Sequence, residues 1–301
     1  MNKPQILVIT SSIDETASYL EKKYSDRAEF HRTNIDELGK YNISITNCGW
    51  RIERETIIND KDIHAIYYRK PLLPRIDDYY IQYQSMIRRD IVAVVTGLID
   101  AFEGKVLSKP FILRKTENKI YQLLYAQQNG FLIPESYIGN CSDMAVKYLD
   151  KTAIIKPITT GKTYSNDRIE VYHTRMFEAF EDDICITPVY LQSFIPKQYE
   201  VRLTIIDQVA YAVRIDTLNK VDWRLDYQNH KYTLINCPEK IYTQCLKMLD
   251  DFGLSFGAFD FIVTPEDNWV FLEINPNGQW LWLEMSLNLD ISRRIVDYLV
   301  S

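Results

Sequence analysis

The chain has 301 residues, 46% hydrophobic and 25% charged, a balance that suits a soluble globular protein with one large core or a few smaller ones and excludes disorder as the dominant state. Its formal net charge of −6 argues against a general nucleic-acid partner, so any anion bound here must be held by a local group of cations. No apolar run reaches the roughly eighteen residues of a spanning helix, which leaves no membrane partner in prospect. The opening MNKPQILVIT reads as a strand instead of a signal peptide, so a cytoplasmic location is expected.

The first hundred residues alternate apolar runs with helical patterns: QILVIT, a helix over 14–24, a strand in DIHAIYYRKP, and a long helix over 79–103. This alternation predicts a βαβ layer. The Gly-, Ser- and Pro-bearing stretch GKVLSKPF closes an N-terminal α/β domain over 1–108. Thr116 is placed to N-cap a helix through ENKIYQLLYAQQN, with Ile120, Leu123 and Leu124 on one face and Gly130 past its end. A strand TAIIKP, a polar loop TTGKTYSNDR, a strand IEVYH and a short acidic helix over 175–182 then make a central lobe over 109–187. From 188 the chain turns to alternating strands, VYLQSFI, YEVRLTIID, VAYAVRI and KYTLI, followed by a helix over 238–252 and the strands GAFDFIVT and WVFLEIN. These form a C-terminal lobe over 188–301 around an antiparallel sheet, and the fold class is α/β (α+β). Cys48, Cys141, Cys185, Cys237 and Cys245 are scattered, with no CxxC pair, so neither a disulfide framework nor a zinc site is expected.

The strongest chemical signal lies in residues 258–280. Two strands around the turn at 265–268 place Asp260 on the first and Glu273 with Asn275 on the second. Residues two apart share a face, which points Glu273 and Asn275 one way and Leu272 and Ile274 the other. Two carboxylates and a carboxamide make an all-oxygen site for a hard cation, and Mg²⁺ is the usual occupant where phosphates complete the shell. Lys156 ends the apolar run AIIK ahead of Pro157 and the loop 159–163, where a cation and a glycine-containing loop can hold phosphate oxygens; a lysine that simply ends a strand is the plain alternative. Lys119 stands in the first turn of its helix, where the dipole disfavours a cation unless an anion is near. Arg202 and Arg214 lie on consecutive strands: a three-residue connection would set them face to face across an anion, and a two-residue connection would not.

In the order Lys119, Lys156, QSFI, EVR, DF, EIN, these pieces resemble the ATP-grasp ligases, and within them the maturases of microviridin-like graspetides. The matching segments are YYRKP, NKIYQLLYAQQNGFLIPES, QSFIPKQYEVRLTI, VDWR and GLSFGAFDFIVTPEDNWVFLEINPNGQWLWLE. The resemblance implies an ATP-grasp fold with an N-terminal pre-grasp domain, and ATP with two Mg²⁺ ions as cofactors. It assigns Lys119 and Lys156 to the ATP phosphates, Gln192, Ser193, Phe194 and Ile195 to the adenine, Asp260, Glu273 and Asn275 to the metal, and Arg202, Lys156 and Arg214 to catalysis. The implied partner is a ribosomal precursor peptide, leader plus core, whose Asp or Glu side chains would be joined to Ser/Thr hydroxyls or Lys amines. Arg69, Asp222, Trp223 and Arg224 are candidates to receive the core, with an ion pair at Arg69 and a self-satisfied Asp222–Arg224 corner as the plain alternatives. Phe177, Glu178, Glu181 and Asp182 are candidates to dock the leader. Asp222 and Glu284 stand open as general bases, and a homodimer is admitted as the assembly. Two rival functions remain: an ATP-grasp ligase joining amino acids to an acceptor, and a nucleotide-binding module without catalysis.

Overall fold

The computed structural model describes residues 3–149, 152–159, 161–165, 168–180, 184–225 and 229–301. Its N-terminal sheet is parallel, in the order Glu29–Asn34, Gln5–Thr10, Ala65–Tyr68, Lys105–Leu107. The central run QILVIT is buried on both faces, as a parallel strand covered by helices must be. Ile6 and Val8 meet the helices Glu15–Lys23 and Ile291–Val300 through Leu20, Ile295 and Leu299. On the other face Leu7 and Ile9 meet Leu98 and Ile99 of the helix Ile81–Asp100. The end of the chain therefore completes the core at its beginning.

A second sheet, in the order Arg175–Met176, Ala153–Lys156, Val189–Ser193, Ser136–Gly139, forms the central lobe together with the hairpin Lys162–Ser165/Arg168–Val171. The stretch expected as a polar loop thus holds that hairpin. Gly161 allows it to start close to the sheet: at φ +62° a Cβ would come within 2.6 Å of the Tyr172 carbonyl oxygen. The acidic helix expected over 175–182 is absent among the described residues. Arg175 and Met176 instead pair with Ile155 and Ile154, and the Phe177 N–H donates to the Ala153 carbonyl at 2.9 Å, so sheet bonding takes the donors a helix would need.

The third sheet is antiparallel, in the order Lys231–Ile235, Val209–Asp216, Tyr199–Ile206, Phe256–Val263, Trp269–Asn275. One face packs on the amphipathic helix Glu239–Phe252 through Leu203, Phe259, Met248 and Phe252. Leu113 and Ala126 join the same core, so the helices Pro110–Thr116 and Lys119–Gln128, read from sequence as central-lobe elements, lie on the C-terminal sheet. Asn118, not Thr116, caps the second of these: its Oδ1 accepts from Ile120 N and Tyr121 N at 3.0 and 3.1 Å. Thr116 belongs to the preceding helix and donates to the Ile112 carbonyl. No helix among the described residues is long and apolar enough to cross a membrane.

Candidate active site

The C-terminal sheet builds the site by register. Glu273 opposes Asp260, and Asp260 opposes Arg202; directly opposed residues share a face, so all three point into one cleft. A bulge between Asp260 and Phe261 adds one residue to the outer strand. Phe271 and Ile274 fill the core while Leu272 and Glu273 both line the cleft, which corrects the expectation that Leu272 faces away.

The resulting cavity, about 110 Å³, lies between the central and C-terminal lobes, and its walls include Lys119, Lys156, Gln192, Arg224, Asp260 and Glu273. Arg202 Nη1 donates to Asp260 Oδ2 at 2.9 Å, and its buried Nε has no partner. Asn275 Nδ2 donates to Asp260 Oδ2 at 3.0 Å and Glu273 Oε1 at 3.4 Å. Burial pushes the Asp260 carboxyl up, beyond what Arg202 offsets, and the Glu273 charge adds to the rise. Burial opposes the Glu273 charge too, but Lys119, Lys156, Arg224 and Arg202 outweigh it and hold that carboxyl down.

No group of three or more His, Cys, Asp or Glu side chains able to hold a metal occurs among the described residues. Asp260, Glu273 and Asn275 nevertheless fit Mg²⁺ as three hard oxygen donors, once the Asn275 amide presents its oxygen, provided that phosphate and water oxygens fill the remaining positions.

Lys119 Nζ donates to the Pro157 carbonyl at 2.9 Å and stands 3.6 Å from Glu273 Oε2. The anion that a lysine at a helix start calls for is thus supplied by the protein itself. Lys156 Nζ donates to Gln192 Oε1 at 3.0 Å and lies 4.3 Å from the Tyr190 ring centre. Burial, with the Lys119 charge adding to it, depresses the Lys156 ammonium to about 8 despite the pull of Glu273. Gln192 is itself fixed, since its Nε2 donates to Ser136 Oγ and Tyr190 Oη. Ser193, Phe194 and Ile195 do not line the cavity. Their strand end is tied into the lobe: Ser193 N donates to Glu135 O and Phe194 N to Thr152 O, each at 2.8 Å. The Phe194 N–H is therefore not the one that could meet a base.

Asp222 is 4% exposed, and both its oxygens are taken by the Arg224 fork, Nε at 2.9 Å and Nη2 at 3.0 Å. Burial works against its charge, yet the Arg224 guanidinium outweighs it and holds the carboxyl below its ordinary range. Asp222 is therefore an anchor for Arg224 and unsuited to be a base. Trp223 packs against His230 and Trp282, both 5.5 Å away between ring centres.

Three expectations fail on geometry. The turn after Ile206 has two residues, so Arg202 opposes Val213 and Arg214 opposes Val201; Arg214 lies on the far face, paired with Asp216 and stacked on Tyr199. Arg69 is 1% exposed and donates to Asp14 Oδ2 at 2.9 Å and Gln279 Oε1 at 2.6 Å. It ties the N-terminal sheet to the C-terminal lobe and is closed to a peptide. Glu284 is buried and accepts from Tyr19, Lys23 and Ser292, a structural knot that is not part of the cleft lining.

Sequence reasoning passed over Glu200. It lies two residues from Arg202 on the same face, lines the cavity and pairs with Lys197; burial, against the pull of Lys197, raises its carboxyl to about 7. The period-2 pattern of YEVR already carried that signal. Of the leader candidates, Phe177 and Phe180 pack ring to ring at 4.8 Å and Glu178 is exposed; Glu181 and Asp182 lie outside the described residues.

No family model matches the chain. It superposes on a ribosomal-peptide-associated ATP-grasp ligase from Chryseobacterium gregarium, solved with ADP and a leader and core peptide, with a TM-score of 0.89 and 27% identity over 99% of this chain and 96% of that one. The macrocyclase MdnC of Microcystis aeruginosa MRC, bound with its precursor peptide MdnA, also superposes with a TM-score of 0.89, at 24% identity over 99% of each chain. Among curated sequences, the tetrahydromethanopterin:alpha-L-glutamate ligase of Methanocaldococcus jannaschii is 22% identical over 248 residues, 77% of this chain and 82% of that protein.

Proposed function

As an ATP-grasp ligase with the fold of the ribosomal-peptide maturases, this chain, we propose, activates Asp or Glu side chains of a ribosomal precursor peptide as acyl phosphates and closes them onto Ser/Thr hydroxyls or Lys amines of the same peptide. The observation that carries this reading is a single cleft in which Lys119, Lys156, Arg202 and Arg224 converge on Asp260, Glu273 and Asn275. A carboxylate is a poor electrophile because its leaving group would be oxide. Transfer of the γ-phosphoryl group makes the leaving group phosphate, but that requires two anions to meet. At about 4 Å and an effective dielectric constant of about 20, two unit charges repel by roughly 4 kcal/mol, a cost that fixed cations in a dry cleft offset.

In this reading Lys119 and Lys156 hold the ATP phosphates, while Arg202 and Arg224 face the transferred group. Asp260, Glu273 and Asn275 hold Mg²⁺, two ions in all, which when bound would neutralise phosphate charge. Ile154 and Leu272 offer apolar walls to the adenine, beside Gln192 and the strand end through Ser193, Phe194 and Ile195. Glu200, between that strand end and Arg202, is placed to accept from ribose hydroxyls. The leader docks on the central lobe near Phe177 and Glu178. Holding both reacting ends of one peptide makes the second step effectively unimolecular.

The curated match to a glutamate ligase favours a second reading, addition of free amino acids to an acceptor. Co-expression with a candidate precursor peptide carrying Thr or Lys and Asp or Glu in its core, followed by mass spectrometry, separates the two. Loss of one water mass per bond supports ring closure, addition of amino-acid residues supports the rival, and an unmodified peptide in the presence of ATP turnover would count against the precursor reading.

A further inference from the structure

One contact crosses the cleft without touching a phosphate-binding group. His173, in the central lobe just after the strand Arg168–Val171, places Nδ1 3.8 Å from Asp222 Oδ2 of the C-terminal lobe. The flanking residues Tyr172 and Thr174 line the nucleotide cavity together with Asp222 and Arg224, so the segment carrying His173 is one wall of the site and Asp222 is part of the wall opposite. The backbone at Asp222 is held by Asn219, whose Oδ1 accepts from the N–H groups of Val221 and Asp222 at 2.9 and 3.0 Å, and Arg224 closes a fork on the Asp222 carboxylate. The guanidinium so held lies close enough to Asp260 and Glu273 to interact with their charges, the end of the cleft where the cation set converges.

We propose that His173 is a positioning residue: by meeting Asp222 across the cleft it locks the Asp222–Arg224 fork in the orientation that presents Arg224 to the terminal phosphate of the bound nucleotide. At 3.8 Å the pair is just beyond hydrogen-bond distance, and an approach of the lobes by about 1 Å makes it a hydrogen bond. Nucleotide binding between the lobes and the aim of Arg224 are therefore coupled through one side chain that touches neither the nucleotide nor the metal ligands. This inference rests on the nucleotide reading above, and it needs no assumption about the peptide.

The test uses the affinities of the full chain for MgADP and for magnesium adenylyl-imidodiphosphate, measured by calorimetry, and the ratio between them. Arg224→Lys should lower the preference for the triphosphate analogue by about threefold or more, and His173→Phe should lower it similarly. His173→Gln, which restores an N–H donor, should recover the preference, and thermal unfolding should be unchanged in all three. The double variant His173→Phe/Arg224→Lys should lose no more than Arg224→Lys alone, because both act through the same group. An unchanged ratio in His173→Phe, an equal loss for both nucleotides, or losses that multiply in the double variant would overturn the proposal. Absence of any nucleotide binding by the unaltered chain would instead overturn the nucleotide reading on which it rests.

Discussion

Protonation of Lys156 should make nucleotide affinity depend on pH. In the free protein burial lowers its ammonium to about 8, whereas a bound phosphate restores it to the ordinary lysine range of ~10.4 or above. Below pH 8 the group is already charged, and binding takes up no proton. Above it the free protein holds a neutral amine that must be protonated when the phosphate arrives, so affinity falls as pH rises. Between pH 7 and pH 9 the expected loss is about tenfold, or ~1.4 kcal/mol, whereas an unshifted lysine would give a flat profile over the same interval. Calorimetry of MgADP binding in two buffers of different ionisation enthalpy reads both quantities at once: the dissociation constant, and a proton uptake that climbs from near zero towards about one. Lys156→Arg keeps a charge at every pH, so its profile should lack this component. Glu200, raised to about 7, also titrates in this window, but it does so in both proteins and cancels in their difference. Parallel profiles for the two proteins would refute the reasoning.

Glu273→Gln should retain the fold and lower ADP formation by about 100-fold or more at saturating Mg²⁺, because it removes a cation-holding charge while keeping its shape; near-normal turnover would remove Glu273 from the metal set. Arg69→Met should cost roughly 3 kcal/mol in chemical denaturation by removing the cation that faces the half-buried Asp14 carboxylate and its bond to Gln279, and unchanged stability with altered peptide selectivity would restore Arg69 to the substrate site. Arg214→Ala should leave nucleotide affinity and turnover unchanged and shift stability by less than about 1 kcal/mol; a large kinetic loss would place it in the cleft after all. Glu200→Gln should weaken MgADP binding while leaving inorganic phosphate inhibition unaltered, since it acts on the ribose end; equal loss for both would move it to the phosphates.

That Asp260 and Glu273 face the same way was legible because it depends on short-range pattern. Asp260 and Glu273 sit on strands joined by a tight turn, and a period of two assigns faces as soon as the turn sets the register. The same rule fails at Leu272, where one bulged residue reverses the assignment, and at Arg214, where a single residue in the turn length decides which face an arginine takes. Nothing local distinguishes the two-residue turn that this chain adopts from the three-residue one.

Lys119 and Lys156 were recognisable as misplaced or terminal cations, but what they meet was not. Glu273 reaches Lys119 and Gln192 reaches Lys156 only after two lobes and two sheets have been assembled. Arg69 is the clearest case. The segment YYRKP is as consistent with a substrate-binding arginine as with a buried one, and the decision lies with Gln279, 210 positions away in the chain, and with Asp14, 55 positions upstream. The sequence by itself determined which residue types can hold a cation and a phosphate, because alternation and helix polarity act over a few residues. The tertiary structure decided which of those charges remain available to a ligand, because each charge removed from water has to be met by a partner, and the long-range packing chose that partner.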